Sequence, residues 1–343
     1  MQRNKTSSQV PLRATALAHP NIALVKYWGK ADAERNIPAV GSISVTLAGM
    51  ETVTAVEFIS GLPEDEFILN GQKAPEADRL RVSRFLDSVR RLAGAEQRAR
   101  VVSENNFPTG AGLASSASGF AALALAAAAA LGLSLDRREL SRLARKGSGS
   151  AARSIFGGFV EMKLEHRAGQ VDAYAAQLAP ADHWPLVVLV AVVSGQAKAV
   201  GSTEGMVHSA ESSPFFAGWV ASSPQDLREM RRAIAERDFV RLGETAEHSC
   251  LKMHGLMMAS RPPLLYWRPE TLQVMETVWE MRRQGVPAYF TVDAGPQVKV
   301  LCEQENAEQV KNILENLRQI KDIIFCTLGE DAKLLGRSFE DSF

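Results

Sequence analysis

The sequence predicts a mixed fold of helices and strands, in the α+β class, on three observations. Short stretches that alternate apolar and polar residues read as half-buried strands: Ile43-Ser44-Val45-Thr46-Leu47 and Thr52-Val53-Thr54-Ala55-Val56-Glu57-Phe58. Longer stretches with one apolar face at helical spacing are interleaved with them. The composition, 46% hydrophobic and 23% charged, is that of a folded chain and excludes disordered, collagen-like and coiled-coil proteins. Its 343 residues allow two domains or one large one.

Taken in order, the two alternating stretches open a sheet. Residues 77–92 place Leu80, Val82, Phe85, Leu86, Val89 and Leu92 on one helical face, opposite Arg and Asp, and predict an amphipathic helix. A strand is expected to end near Val102, before a polar Ser-Glu-Asn-Asn stretch. A helix apolar on nearly all sides, hence buried, then begins at 113–117 and closes at Gly132. Residues 136–144 predict a helix capped by Ser134 that stops before the turn Gly147-Ser148-Gly149-Ser150. The Val/Leu run 184–193 fits a strand covered on both faces. The stretch Ala179-Pro180-Ala181-Asp182-His183 before it marks the expected boundary between an N-terminal domain, 1–183, and a C-terminal one, 184–343. Helices are expected at 225–236, 238–253, 270–284 and 308–318. Strands are expected at 288–293 and 297–302, about the Gly295-Pro296 turn, and at 323–328.

Lys+Arg and Asp+Glu balance at 39 each, so total charge predicts neither a nucleic-acid nor a membrane partner, and any phosphate chemistry must be local. The longest apolar run, 120–133, falls short of the roughly 20 residues a bilayer needs. Cys250, Cys302 and Cys326 are odd in number and widely spaced, without a CxxC pair, and read as reduced, buried thiols. The start, MQRNKTSSQVPLR, has no apolar core to act as a secretory signal. A cytoplasmic location is therefore expected.

Four segments carry candidate chemistry. Pro108-Thr109-Gly110-Ala111-Gly112-Leu113-Ala114-Ser115-Ser116-Ala117 lies between a polar loop and the buried helix and has the form of a phosphate cradle. Its glycines admit an anion to the backbone, amides at the helix start point towards it, and Ser115 and Ser116 offer hydroxyls to phosphate or magnesium. A Gly/Ser loop that merely turns the chain has the same composition. In Ala23-Leu24-Val25-Lys26-Tyr27-Trp28-Gly29-Lys30, after an Asn21-Ile22 turn, Lys26 leaves an apolar stretch and needs an anionic partner, because an isolated ammonium cannot be buried cheaply. Gly147-Ser148-Gly149-Ser150-Ala151-Ala152-Arg153 is either a flexible turn or a site that brings two hydroxyls beside a guanidinium fit to clasp a carboxylate. Asp293, in Tyr289-Phe290-Thr291-Val292-Asp293-Ala294-Gly295-Pro296, ends a hydrophobic strand, where an acid can also do no more than cap the turn. The histidines match no zinc template, and no GxSxG or GxGxxG pattern is present.

In this order and spacing the four segments resemble the diphosphomevalonate decarboxylase family of the GHMP kinase superfamily, over most of the chain. The superfamily's phosphate loop, P-x-x-x-G-L-x-S-S-A, is matched from Pro108 to Ala117. NIALVKYWGK with ISVTL, ARKGSGSAARSIFGG and FTVDAGP are specific to the decarboxylases. Gln297, Gly110 and the Val40-Gly41 pair depart from the usual pattern without removing a group the chemistry needs.

The resemblance implies a GHMP kinase fold of two mixed lobes, a nucleotide-binding N-terminal lobe and a ferredoxin-like C-terminal lobe, with the active site in the cleft between them. It further implies ATP-dependent decarboxylation of diphosphomevalonate to isopentenyl diphosphate, with ATP and Mg2+ as cofactors, in a homodimer. Asp293 would face the substrate's C3 hydroxyl with Lys26 beside it, and Arg153 would hold the substrate carboxylate. Tyr27, Trp28, Gly29, Lys30, Ser148, Gly149, Ser150, Ala151, Ala152, Ser202 and Thr203 would gather round the substrate, with Arg79 as a further phosphate contact. Pro108, Gly110, Gly112, Leu113, Ser115, Ser116 and Ala117 would hold the nucleotide, and Ser116 the metal. The competing readings are a decarboxylase of 5-phosphomevalonate, a mevalonate 3-kinase, and a sensor that kept the fold without turnover.

Overall fold

Among the described residues the strands assemble into three larger sheets and one two-stranded hairpin, and apolar helix faces cover the larger ones. The structure, a computed structural model, describes residues 12–107, 114–167, 170–196 and 198–336. The chain begins with β1 (Arg13–Ala18), β2 (Asn21–Val25), the hairpin β3 (Lys30–Asp32) and β4 (Ile37–Pro38), β5 (Ser42–Thr46), β6 (Thr52–Ile59), β7 (Glu66–Leu69) and β8 (Gln72–Lys73). It continues through α1 (Glu76–Ala93), β9 (Arg98–Asn105), α2 (Ser115–Ala130), α3 (Arg137–Gly147), a 3-10 helix (Gly149–Ile155), β10 (Phe159–Arg167) and β11 (Gln170–Ala179). The remainder is β12 (Leu186–Val192), α4 (Ser202–Ser212), α5 (Phe216–Glu236), α6 (Phe239–Met258), α7 (Pro269–Arg283), β13 (Tyr289–Val292), β14 (Val298–Glu303), α8 (Ala307–Glu315), β15 (Asp322–Thr327) and β16 (Lys333–Leu335).

A six-stranded sheet runs β16-β1-β6-β9-β7-β8, so the last strand returns to the first sheet. One four-stranded sheet runs β11-β10-β5-β2 and another β13-β14-β12-β15. Helix α2, mostly alanine, lies close against β1 and β6 and is buried with Phe58, Phe85, Leu86 and Val101. Strand β12 is buried along its whole length because both its faces meet a core. Val187, Leu189 and Ala191 pack towards α7 and α8, whereas Leu186, Val188 and Val190 join Ile22, Leu24 and Val45 of the other four-stranded sheet. That second core welds the two halves and fixes the end of β2 against α6 and β13.

Several expectations are corrected. Asn21-Ile22 is not a turn but the start of β2, hydrogen-bonded along β5. Strand β9 runs on through Ser103, Glu104 and Asn105, which pair with Thr54, Val53 and Thr52. The α3 cap is Asp136, whose carboxylate accepts from the Glu139 amide while Glu139 accepts from the Asp136 amide; Ser134 lies two residues too early. Leu80 and Leu92 of α1 are exposed, and Arg90 takes the buried place instead. Helix α5 starts at Phe216, with Pro224 inside it. Strands β10 and β11 and helix α4 lay outside the sequence expectations.

Helix α1 is anchored by a buried ion pair. Arg90 Nη1 and Nη2 each donate to Asp65 at 2.9 Å, and the Ala99 amide and the Ser83 hydroxyl donate to the same carboxylate. Burial pushes the Asp65 carboxyl up, but these four donations outweigh it and hold the group below its ordinary value. The stabilisation is therefore fully present above the ordinary carboxylate range and lost as pH falls below it towards the lowered folded-state value. Asp65→Asn is expected to lower unfolding free energy by about 3 kcal/mol, the low end for opening a buried pair because Asp87 still accepts from Arg90. Urea denaturation at pH 7 measures this, and the gap to the parent protein should narrow towards pH 3.

Candidate active site

Two strand ends from opposite halves meet at one carboxylate. Lys26 follows β2 directly, its amide donating to Ser249 Oγ of α6 at 2.9 Å and its side chain 1% exposed. A buried ammonium must find an anion, and Lys26 Nζ donates to Asp293 Oδ1 at 2.6 Å. Asp293 follows β13, with its side chain 27% exposed to the cleft. Burial would raise its pKa, but Lys26 and Lys299 together drive it far below the ordinary carboxylate value, so it is ionised at neutral pH. Lys299 lies 3.4 Å from Asp293 Oδ2.

The turn after Asp293 is tied down by the residue that departs from the family pattern. Gln297 is fully buried; its Oε1 accepts from the Val193 and Ser194 amides at 2.7 and 3.3 Å, and its Nε2 donates to the Ser194 carbonyl. Beneath β13, His254 of α6 faces the Val292 carbonyl at 3.2 Å and stacks on Trp267. Burial pushes its imidazole down to about 3, so the ring is neutral and can donate that bond.

Arg153 is 2% exposed and lines the same cleft. The 3-10 helix after Ser148 aims it at β2 and β5, where Nε donates to Ser44 Oγ at 2.9 Å, Nη1 to Ser42 Oγ at 2.6 Å and Nη2 to Asn21 Oδ1 at 3.0 Å. Burial lowers its pKa to about 10, still fully charged at neutral pH. These partners are neutral, so the cleft holds a fixed cation whose charge is open to an anion. The GSGS segment is thus built rather than flexible: Asn21 Nδ2 ties it through the Ser150 carbonyl and Ser154 Oγ. The Ser148 hydroxyl lies 3.4 Å from both Ser116 and Ser150, joining this segment to the start of α2. A Cβ on Gly149 would come 2.3 Å from Tyr27 Oη, so glycine there seats the tyrosine. Burial raises the Tyr27 hydroxyl to about 12, and it has no partner among the described residues.

The cleft has a volume of about 2040 Å³. Lys26, Tyr27, Trp28, Lys30, Ser115, Ser116, Ser148, Gly149, Ser150, Arg153, Ser202, Thr203 and Asp293 all line it. Trp28 is nonetheless nearly buried, its Nε1 donating to Ser209 Oγ at 2.7 Å. Lys30 Nζ donates to Asn36 Oδ1 at 2.6 Å. At the start of α2, Ala114 adopts φ 58° and no side chain caps the helix, which leaves its first amides for another acceptor. Pro108, Gly110, Gly112 and Leu113 lie outside the described residues.

Five expected residues do not reach the cleft surface. Arg79 is held away by Glu76 at 2.7 Å and Glu64 at 2.9 Å. Arg81, two residues on and so on the opposite side of α1, lines the cleft instead, over the Phe120 ring and donating to the Gly147 carbonyl. Ala117, Ala151 and Ala152 are fully buried core contacts. Gly29, at φ 88°, is covered by Phe216, whose ring a Cβ would approach to 2.7 Å. Residues that sequence reasoning missed are Lys299, Arg81, Arg145 and Lys198. Lys198 Nζ donates to Ser202 Oγ at 2.7 Å and to the Ala294 carbonyl at 3.3 Å.

Comparison with known proteins agrees over both halves. Residues 18–175 match the family described as diphosphomevalonate decarboxylase-like N-terminal domain, and 188–334 the mevalonate 5-diphosphate decarboxylase C-terminal domain. The diphosphomevalonate decarboxylase of Candida albicans is 38% identical over 316 residues, covering 88% of this chain and 87% of that protein. The human one is 37% identical over 315 residues, covering 86% and 78%. Mevalonate diphosphate decarboxylase from Enterococcus faecalis superposes with a TM-score of 0.87 at 43% identity, covering 94% of this chain and 99% of that one. A structure of MDDEF in complex with MVAPP, AMPPCP and magnesium gives 0.88 at 44% identity, with the same coverage.

All three cysteines are free and buried. Burial raises Cys250 to about 11 and Cys302 and Cys326 to about 12, so none is a thiolate at pH 8. A thiol-reactive chromogenic disulfide at pH 8 is expected to modify none of them in the native protein and all three after denaturation. Rapid modification of native protein would contradict the burial of these thiols in the apolar cores.

Proposed function

The chain belongs to the diphosphomevalonate decarboxylase family, and from that premise we propose how its own residues carry out the reaction. The protein is an ATP-dependent decarboxylase of the mevalonate pathway: diphosphomevalonate and ATP give isopentenyl diphosphate, ADP, phosphate and CO2. The observation that carries the residue assignment is the Lys26–Asp293 pair, 2.6 Å apart and open to a cleft that also holds Arg153.

Asp293 faces the C3 hydroxyl. Held ionised by Lys26 and Lys299, it orients that hydroxyl towards the γ-phosphate and, as phosphate leaves, opposes the positive charge that develops at C3. Arg153 receives the substrate carboxylate. Two of its five N–H groups remain after its bonds to Asn21, Ser42 and Ser44, and an anion there completes the neutralisation of a buried charge. Loss of CO2 then supplies the electron pair that forms the alkene as the C3–O bond to phosphate breaks. Tyr27, Lys30, Ser148, Ser150, Ser202, Thr203 and Arg81 surround the diphosphate end. Arg79, engaged with Glu64 and Glu76, has no part in this.

ATP is held at the start of α2, with Pro108, Gly110, Gly112, Leu113, Ser115 and Ser116 as its loop. The uncapped amides and the hydroxyls of Ser116 and Ser148 form a hard-oxygen and N–H donor set that fits a magnesium nucleotide. Ser116 and Ser148 would help to hold Mg2+, which would supply neutralisation of the phosphate charge. We assign residues 1–183 to the nucleotide-binding domain and 184–343 to the domain that supplies Asp293, with β16 returning to the sheet of the first. No helix of the described residues is long and apolar enough to cross a membrane. A cytoplasmic homodimer is our proposal from the family resemblance alone.

Incubation with Mg-ATP and each mevalonate phosphate, following ADP and CO2 separately, tests this reading. With diphosphomevalonate the two should appear one to one and depend on the divalent cation. ADP without CO2 would make the protein a 3-kinase, and turnover of 5-phosphomevalonate alone would change the substrate. Asp293→Asn is expected to lower kcat by at least about 10²-fold with substrate affinity nearly intact. A fall in affinity at unchanged kcat would reduce Asp293 to a turn residue.

A further inference from the structure

Lys299 sits where a lysine is expensive. It lies on the central strand β14, paired with Val190 on one side and Thr291 on the other, and it is fully buried. Its neighbours on the strand, Val298 and Val300, point into the core against α7 and α8, so Lys299 points the other way, as Leu301 does. That direction leads to the underside of the Asp293 turn. Nζ reaches the Gln297 carbonyl at 3.3 Å and Asp293 Oδ2 at 3.4 Å, while Lys26 holds Oδ1. A whole buried ion pair can commonly be replaced by apolar residues of similar volume without loss of stability, so a buried lysine here is not demanded by the fold alone. Burial makes an ammonium unfavourable here, as the lowered pKa of Lys299 shows.

We propose that Lys299 is a positioning residue of the decarboxylation: from inside the sheet its ammonium grips the second oxygen of Asp293, so that the carboxylate is fixed at both oxygens and turns its remaining lone pairs to the substrate. Lys299 touches no substrate, because it is sealed from the cleft beneath Asp293, which is itself 27% exposed. With Lys26 alone the carboxylate could swing about a single bond to Oδ1. With both lysines its plane is set by two groups from different strands, one just past the end of β2 and one on β14. This rests on the assignment of Asp293 as the group that faces the reacting carbon.

Two variants test it. Lys299→Met keeps the volume and removes the charge; Lys299→Gln keeps a donor without the charge. Both are expected to fold, because Asp293 keeps Lys26 as a partner and opens to the cleft, with a melting temperature at or a few degrees below that of the parent. Both should lose about ten- to hundredfold in kcat for CO2 release, the loss typical of a charge-assisted contact, with KM for diphosphomevalonate and for ATP unchanged. Wild-type kcat in either variant would overturn the proposal, as would failure of both to fold, which would make Lys299 a structural residue. Asp293→Asn measured in parallel separates the two claims. If it loses activity while the Lys299 variants do not, the positioning role falls and the assignment of Asp293 stands; if Asp293→Asn is also fully active, the assignment itself falls.

Discussion

Everything in the active cleft depends on one ion pair, a buried lysine on a half-buried aspartate, that closes across the two halves of the molecule. Lys26 is contributed by the end of β2 and Asp293 by the end of β13, 267 residues later, and neither could be buried alone. A 2.6 Å contact of that kind tolerates little movement, so it demands that the two sheets be rigidly joined. The shared core of Ile22, Leu24, Val188, Leu242, Tyr289 and Leu301 meets that demand. The same core leaves the outer end of the pair facing the cleft, where a substrate can exploit the charge.

The other fixed cations follow one pattern. Arg153 is held by hydroxyl and amide oxygens rather than by a carboxylate, so its charge remains for a ligand. Arg90, by contrast, is neutralised by Asp65 and Asp87 and serves only to hold α1. The difference between these two buried arginines is in the partner, not the side chain. It separates a guanidinium that stabilises the fold from one that can recognise an anion.

How much of this the sequence discloses depends on whether a residue type is unusual in its place. Lys26 leaving an apolar stretch, an acid before Gly-Pro and an arginine after GSGS each announce a special requirement, and all three meet in one cleft. Lys299 does not announce itself. Val298-Lys299-Val300 reads as an ordinary half-buried strand with lysine on the solvent side, because alternation cannot distinguish a wet face from a second core. Strands β10 and β11 escape for the same reason, their Glu161 buried against Arg231 and their Arg-facing acids reading as surface. On α1 a helical pattern gives the apolar stripe but not which flank borders the cleft, and Arg79 and Arg81 lie on opposite flanks.

A double-mutant cycle on the ion pair tests the account most directly. Lys26→Met, Asp293→Asn and the double variant would be compared in single-turnover CO2 release with saturating Mg-ATP and diphosphomevalonate, with melting temperatures recorded beside them. If the pair acts as one unit, the double variant should be no slower than the slower single variant, because either change alone already disables the carboxylate. Losses that simply multiply would show that Lys26 and Asp293 act independently, and would contradict the dependence of the cleft on their contact.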